Sequence, residues 1–455
     1  MKATASKFRM AALTAAMATA AFAATVDQVV VRQQWPWSTD VKVEYRITGV
    51  TTPVDVSVTV FNGNVQLNVP DLESAITGER YGISQSGAYT FTIDPVKAFG
   101  TGRIAIGEFK VRLTLSDSAA NIGETLYKII RIADGNCTDV TRADLLNGKY
   151  GACETDYRKI YSTYTNLPDV VIWTGVTNNI AYKTTHIVMR KIKCKDIQWT
   201  MGGDTNVADT ATAPACQVVL TNNFWIGVFP LTVGQWKEAD ANTTGRTISY
   251  GEYPANTNEC VATATYLSSF RGAATKVNFP QNRHSVVSDS LCGRLRALTG
   301  YDFEIPTEAQ WEFAARGGVY LQTLYTGETP TSDATARVAW YDGNAGKVGS
   351  KYCWHPVGSL NPNAYGLYDM LGTVAEAMLN RFYDYDTANV SYEPEGGDTG
   401  VAVWRSYTIY NGYARMRLNA RLRDKSGELA NNGHRGARLI LPDTEGLVYP
   451  ASEKP

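Results

Sequence analysis

Residues 305–317 read IPTEAQWEFAARG, and this stretch decides how the second half of the chain is interpreted. Thr307 is followed three positions later by Gln310, which is the spacing of a capping box. In such a box the Thr hydroxyl accepts a hydrogen bond from the backbone N–H of Gln310, and the Gln side chain accepts one from the N–H of Thr307. Helices commonly end at a glycine such as Gly317. The stretch therefore predicts a helix that starts at Thr307 and stops before Gly317.

Further stretches of similar character lie on both sides of this one. In chain order they are FWIGVFPLTVGQW at 224–236, GRLRALTG at 293–300, HPVGSLNPNAYGLYDMLG at 355–372, WRS at 404–406 and GARL at 436–439. The first contains a second T-x-x-Q box at Thr232. Leucines recur on one helical stripe over 288–299, before Gly300. We expect short strands that alternate with three short helices.

These blocks, taken in order, resemble the formylglycine-generating enzyme family, which is also called the sulfatase-modifying factor family. The family has similar patterns: an aromatic-x-I-G entry that ends in Q-W, a P-T-E-A-x-W-E-x-A-A-R-G helix, and a G-L-Y-D-M-x-G segment. Each block alone is a weak signal, and their shared order carries the resemblance. It implies that residues 183–443 form an irregular α+β domain, a variant of the C-type lectin fold.

The resemblance also implies an activity whose residues can be checked. The family's enzyme oxidises a sulfatase cysteine to formylglycine with two cysteines that bind copper, and soft thiolates suit Cu(I). When the motif serine is placed on Ser406, these cysteines fall on Ile409 and Ala414, and no cysteine follows Cys353. We therefore expect the family's fold without copper and without catalytic residues. The residues expected to line the corresponding cleft are Ser406, Arg415 and Arg417.

A calcium site is a further implication of the resemblance. The family binds Ca²⁺ around a segment that reads DMLGTVAE at 369–376 in this chain. Asp369 and Glu376 would supply carboxylates, and Gly372 and Val374 would supply backbone carbonyls, because a hard cation prefers several oxygen ligands. The alternative is that Asp369 caps a turn and Glu376 lies in solvent.

Ahead of this domain the pattern changes to a period of two. The run VKVEYRIT at 41–48 alternates apolar and charged residues, which places one face of a strand in a core and the other in water. Similar runs recur further along the chain. We expect a multidomain protein with an all-β sandwich over 26–132, a linker over 133–182 and a tail over 444–455.

Residues 1–23 have the features of a signal peptide. Lys2, Lys7 and Arg9 precede an alanine-rich apolar stretch, and Ala21 to Ala23 fit a small-x-small cleavage site. We expect export from a bacterial cell, with the protein secreted, periplasmic or on the cell surface. The apolar stretch is too short for a membrane anchor, and we expect no transmembrane segment after cleavage.

Export permits disulfide bonds. The chain has seven cysteines, and pairing of neighbours in sequence would give Cys137–Cys153, Cys194–Cys216 and Cys260–Cys292, with Cys353 left over. An odd number leaves at least one thiol outside such bonds, and sequence alone does not fix the connectivity.

The charge balance limits the class of partner. Lys and Arg number 43 against 44 Asp and Glu, so nothing favours nucleic-acid binding. We expect a non-catalytic binding or structural protein whose partner is a protein or a glycan. One alternative is an oxidoreductase of this family with a non-standard site, for which Asp384, Asp386 and Arg381 are the nearest titratable residues. The other is a hypervariable ligand-binding protein, suggested by the Tyr- and Asn-rich run YTIYNGY at 407–413.

Overall fold

The structure is a computed structural model. It describes residues 24–34, 38–69, 72–100, 106–161, 170–203, 214–240, 257–264, 267–272, 286–317, 324, 328–394, 396–397, 401–423 and 434–443. The predicted signal peptide and tail lie outside these residues. The chain forms two compact units: the first runs to Glu124 and includes Thr141–Ala152, and the second comprises Thr125–Val140 and Cys153 onward.

The first unit is built from strands and two short helices. Its strands are β1 (Thr25–Gln33), β2 (Val41–Thr48), β3 (Val54–Asn62), β4 (Val65–Gln66), β5 (Ile76–Gly78), β6 (Gly87–Ile93) and β7 (Phe109–Asp117). Its helices are α1 (Pro95–Phe99) and α2 (Arg142–Leu146). The strands form two antiparallel sheets in the orders β1-β2-β6-β5 and β4-β3-β7.

The alternation of apolar and polar residues in the sequence predicted which side chains of this unit are buried in its core. Val43, Tyr45 and Ile47 of β2 are buried, and they share one hydrophobic cluster with Val56 and Val58 of β3. Burial of alternate residues from both sheets provides the main driving force for this unit. The β character is confirmed, whereas the sandwich layout stays a prediction.

The segment that contains α2 completes the first unit. The backbone N–H groups of Arg142 and Ala143 donate to the carbonyls of Glu124 and Ile122. Asn147 then accepts hydrogen bonds from two successive backbone N–H groups, at 2.8 Å each. The chain thus leaves this unit at Glu124 and returns to the same place sixteen residues later, after Thr125–Val140.

The second unit is also mostly β, with four short helices. Its strands are β8 (Thr125–Arg131), β9 (Cys137–Thr141), β10 (His186–Ile192), β11 (Gln198–Met201), β12 (Cys216–Val219), β13 (Phe224–Gly227), β14 (Ala339–Trp340), β15 (Lys347–Val348), β16 (Lys351–Tyr352), β17 (Leu371–Gly372), β18 (Ala375–Arg381), β19 (Ser391–Tyr392), β20 (Ala402–Arg405), β21 (Arg421–Arg423), β22 (Arg435–Gly436) and β23 (Ile440–Pro442). Its helices are α3 (Val233–Ala239), α4 (Leu291–Thr299), α5 (Glu308–Arg316) and α6 (Ser332–Ala336).

Two sheets of this unit position the site. The first has the order β23-β13-β10-β8-β9, and the second has the order β21-β20-β18-β22. Every residue of α5 is buried, so this helix lies inside the unit. Both predicted capping boxes are present, at Thr307 and at Thr232. The helix predicted over 288–299 begins at Leu291, because the Ser290 hydroxyl caps it by accepting from Gly293.

In the region expected to be a linker, 133–182, the described residues 133–161 and 170–182 contain regular structure. Strand β9 extends the five-stranded sheet, and Glu154 pairs with Ile172 through two backbone hydrogen bonds of 2.8 Å. Tyr157, Tyr161 and Trp173 are buried. The sequence from Cys153 to residue 182 shows no periodicity because isolated buried aromatic residues hold its described part in the second unit, without a regular apolar face. The first stretch of the first compact unit also ends at Glu124, ahead of the expected boundary at residue 132, and the unit resumes at Thr141.

The predicted disulfide bonds are not formed. All seven cysteines carry thiols. Cys216 pairs with Met201 at the start of β12, whereas the thiol of Cys194 donates to the carbonyl of Asn222, beyond the other end of that strand. Six extended residues span roughly 20 Å, and a disulfide needs Cα atoms within about 7 Å. Among the described residues, no helix has both the length and the apolar character needed to cross a bilayer.

Candidate functional site

Ser406 directly follows β20 and is almost completely buried. Its φ angle is 66°, a left-handed conformation that is uncommon for a residue other than glycine. The Ser406 hydroxyl lies 3.4 Å from the carbonyl oxygen of Gly372 and 3.2 Å from that of Tyr407. The motif serine therefore points into the protein and contacts the turn after β17.

That turn is held in a constrained backbone conformation. Gly372 has a φ of 72° and Thr373 a φ of 59°. A Cβ on Gly372 would lie 2.3 Å from the carbonyl oxygen of Trp340, because β17 pairs closely with β14 there. The Thr373 carbonyl accepts a hydrogen bond of 3.1 Å from the backbone N–H of Ile409. The turn thus binds the segment in which the family places its cysteines.

The two positions to which the resemblance assigns the family's cysteines lie in different environments. The side chain of Ile409 is fully buried, whereas Ala414 is exposed in a short turn. Neither side chain can bind a soft metal.

The remaining cleft candidates lie beyond this buried serine. The guanidinium of Arg415 is 5.6 Å from the ring centre of Tyr407, and the Nε of Arg417 donates to the carbonyl of Ala414 at 2.8 Å. Both side chains are half-buried. The predicted residues therefore share one segment but do not converge on one open cleft, because Ser406 faces inward.

Cys353 lies near this segment. Its neighbour Tyr352 contacts the ring of Tyr410 edge-on, with ring centres 4.9 Å apart. Tyr410 stacks on His434 at 4.3 Å, and Trp354 contacts the same histidine at 5.4 Å. The residues on both sides of Cys353 thus make aromatic contacts with this segment.

These contacts define a surface made by two loops. The backbone N–H of Asp342 donates to the carbonyl of Asn411 at 3.2 Å, and Tyr413 contacts the ring of Tyr341 at 6.2 Å. Tyr413 is 40% exposed, while Tyr352, Tyr410 and Asn411 are half-buried. We call the set of Asp342, Tyr352, Tyr410, Asn411 and Tyr413 the tyrosine surface.

The residues predicted to bind calcium have other partners. Both carboxylate oxygens of Glu376 accept from Arg438, at 3.0 to 3.2 Å, and the indole N–H of Trp311 donates to one of them at 2.7 Å. The Asp369 carboxylate accepts from the backbone N–H of Gly358 at 2.7 Å. Burial raises the pKa of Asp369 to about 6. A carboxylate already neutralised by a guanidinium does not fit a calcium ligand, so calcium binding at this site stays a prediction that these contacts disfavour.

A buried ion-pair network beside the site was missed from the sequence. Glu308 and Glu312 of α5 are fully buried. Arg421 donates to Glu308 at 2.7 Å, Arg316 donates to Glu312 at 2.8 Å, and Arg405 contacts both carboxylates. The Glu312–Arg316 spacing of four residues on one helix was the signal available. Among the described residues, no group of three or more His, Cys, Asp and Glu is arranged to hold a metal.

One of the residues proposed for an alternative enzyme, Asp386, serves local structure. The Asp386 carboxylate accepts from the backbone N–H groups of Ala388 and Asn389 at 2.9 and 3.0 Å. The hydrogen bond from the Asn389 side chain, together with these N–H groups, lowers the pKa of Asp386.

Burial lowers the pKa of His434 to about 4, so this imidazole is neutral at physiological pH.

Comparison with known proteins agrees with the arrangement of these blocks. Residues 184–441 match the family described as sulfatase-modifying factor enzyme 1-like domain. The formylglycine-generating enzyme of Streptomyces coelicolor is 34% identical over 126 residues, covering 26% of this chain and 40% of that enzyme. The mouse formylglycine-generating enzyme is 28% identical over 176 residues, covering 36% of this chain and 47% of that enzyme.

The chain therefore spans less than half the length of either enzyme. Among solved structures, Treponema denticola variable protein 1 superposes with a TM-score of 0.42 and 18% identity, over 57% of this chain and 96% of that protein. The family match covers more than half of the chain and fits the C-type lectin-like fold expected for it. The chain belongs to the family of sulfatase-modifying factor enzyme 1-like domains.

Proposed function

We propose that this protein is a non-catalytic member of its family that acts outside the cytoplasm by binding a ligand. The observation that carries the proposal is the burial of Ile409 at the first cysteine position, with an exposed Ala414 at the second. Oxidation of a substrate cysteine by the family's route needs thiolates at both positions, because they hold the copper.

The thiols of Cys216 and Cys260 do not supply a substitute. Burial raises the pKa of Cys216 and of Cys260 to about 12, so both are protonated at neutral pH. A protonated thiol is neither a good nucleophile nor a good metal ligand. The buried carboxylates of Glu308, Glu312 and Glu376 are paired with arginines within the protein, which supports a structural role for them.

The tyrosine surface is the part of the domain best suited to a ligand. It combines half-exposed phenol rings with an amide and a carboxylate, and such mixtures are typical of adaptable recognition surfaces. Tyrosine provides a large contact area with little loss of conformational entropy. We propose that a glycan or a protein binds here. The alternative is that the protein is a hypervariable ligand-binding protein, in which the 407–413 run is Tyr- and Asn-rich because it varies.

The first experiment tests the absence of the family's activity. The purified protein is incubated with copper and a sulfatase peptide that contains the substrate cysteine, beside an active formylglycine-generating enzyme as positive control. We expect no aldehyde by mass spectrometry from this protein. Formation of formylglycine above the level in protein-free samples would contradict the proposal.

The second experiment tests the binding surface with immobilised neutral and acidic polysaccharides in affinity electrophoresis. We expect retardation of the wild type and its loss in Tyr413→Ala. The matched control is Tyr392→Ala, since Tyr392 is 67% exposed but lies on β19, outside the tyrosine surface. Equal retardation of the two variants would contradict the placement of binding at this surface. Absence of retardation by every polysaccharide would contradict a glycan ligand.

A further inference from the structure

Arg438 lies in a cage of oxygen atoms between β22 and β23. Its guanidinium contacts the two carboxylate oxygens of Glu376. It also donates to four backbone carbonyls, which are those of Gly227 at 2.9 Å, Val228 at 3.0 Å, Tyr368 at 2.8 Å and Asp369 at 3.3 Å. The side chains of Arg438 and Glu376 are completely buried.

This set of partners has the composition of a cation site. Calcium in proteins is held by six to eight oxygens from carboxylates, backbone carbonyls and waters. Here two carboxylate and four carbonyl oxygens surround one positive charge that the chain itself provides. A guanidinium has five N–H donors in a fixed plane, so one arginine can satisfy many oxygens at once.

The cage also uses the segment predicted for calcium. Glu376 is one of the predicted ligands, and Asp369 contributes its backbone carbonyl in place of its carboxylate. The carbonyl of Gly372, another predicted ligand, lies near the hydroxyl of Ser406. A metal ion at Glu376 would have to displace the guanidinium and leave it buried without its counter-ion, which is strongly unfavourable.

We propose that Arg438 is the built-in cation of this domain and takes the structural role that a bound calcium ion would have. It joins the last strand of the described chain to β13, to the turn before β17 and to β18. The domain then holds these elements together without metal, at any calcium concentration.

The experiment measures thermal unfolding of the full chain. In the wild type we expect the same Tm with millimolar CaCl2 and with a chelator, and no heat of binding when CaCl2 is titrated into metal-free protein. In Arg438→Ala we expect a Tm lower by roughly 6 °C or more, because the buried Glu376 carboxylate loses the guanidinium with which it pairs. Guanidinium chloride, at concentrations too low to denature, should raise the Tm of this variant and not that of the wild type, while NaCl of equal ionic strength should have no such effect.

The matched control is Arg158→Ala. This arginine pairs with Asp156 but is largely exposed, and we expect almost no change in Tm. If Arg438→Ala does not fold, Arg438→Lys serves in its place, because lysine keeps the charge and loses the planar guanidinium. We expect its Tm to lie below that of the wild type and above that of Arg438→Ala. A calcium-dependent rise in the wild-type Tm would overturn the proposal, as would an Arg438→Ala variant as stable as the control.

Discussion

Replacement of Glu312 by glutamine tests whether the buried network stabilises the second unit. Glu312 is fully buried and accepts from Arg316 and from the backbone N–H of Gly202, both at 2.8 Å, while Arg405 pairs with its other oxygen. Gln has nearly the same volume but no charge, so the substitution removes one partner of two buried arginines and leaves packing unchanged. Breaking a buried pair in this way costs about 3–5 kcal/mol.

The assay is urea unfolding at neutral pH, with thermal unfolding as a second measure. At roughly 2 °C per kcal/mol for a domain of this size class, the expected loss in Tm is roughly 6–10 °C. Asp139→Asn is the control in the same unit, because its pair with Lys128 is half-exposed and should contribute less than about 1 kcal/mol. A Glu312→Gln variant that unfolds at the same urea concentration as this control would refute the reasoning.

The pH dependence gives an independent check on the same carboxylate. Burial raises the pKa of Glu312, but the charges of Arg316 and Arg405 outweigh it and hold that pKa below its ordinary value. A depressed pKa contributes stability that is present above the unfolded value, about 4.3, and is lost as pH falls through the folded value. The acid side of the stability curve should therefore be shallower in Glu312→Gln than in the wild type.

Three further substitutions follow from contacts described above. Asn147→Ala leaves the backbone N–H groups of Arg80 and Tyr81 without their acceptor and should destabilise the first unit by about 1–3 kcal/mol, measured by urea unfolding; an unchanged midpoint would show that water replaces the amide. Burial raises the pKa of Asp369 to about 6, so the stability that its protonated form contributes is lost as pH rises through that value. The free energy of unfolding of Asp369→Asn should exceed that of the wild type by up to about 3 kcal/mol above pH 7 and by little at pH 4. An equal effect at both pH values would contradict this. Gly372→Ala places a Cβ 2.3 Å from a carbonyl oxygen at a φ of 72°; we expect loss of soluble protein or a Tm many degrees lower, and a wild-type melting curve would show that the turn can move.

The elements predicted best from sequence were those with a local chemical signature. The capping boxes at Thr232 and Thr307 and the stop at Gly317 depend on residues within one helical turn, so spacing alone located them. The alternation in β2 likewise identified its buried face. The order of the blocks identified the family before any fold was known.

What the sequence did not provide were the long-range partners of charged residues. Glu308 meets Arg421 across 113 positions and Glu376 meets Arg438 across 62, and no local pattern marks such pairs. Glu376 was therefore interpreted as a metal ligand or a solvated residue, whereas in the structure it is buried and pairs with Arg438. The local structure within 133–182 could not be located for a related reason, since isolated buried aromatic residues such as Trp173 produce no periodicity.

The interleaving of the two units along the chain determines the order in which they can be completed during synthesis. A ribosome delivers β1 to β7 first, yet the segment that caps this unit, Thr141–Ala152, emerges only after β8 and β9 of the other unit. Until residue 152 has left the exit tunnel, the backbone groups of Arg80 and Tyr81 lack the Asn147 side chain that satisfies them. The early product is thus a first unit that lacks Thr141–Ala152. A gene fragment that ends at residue 132 would encode this incomplete form and not the complete first unit.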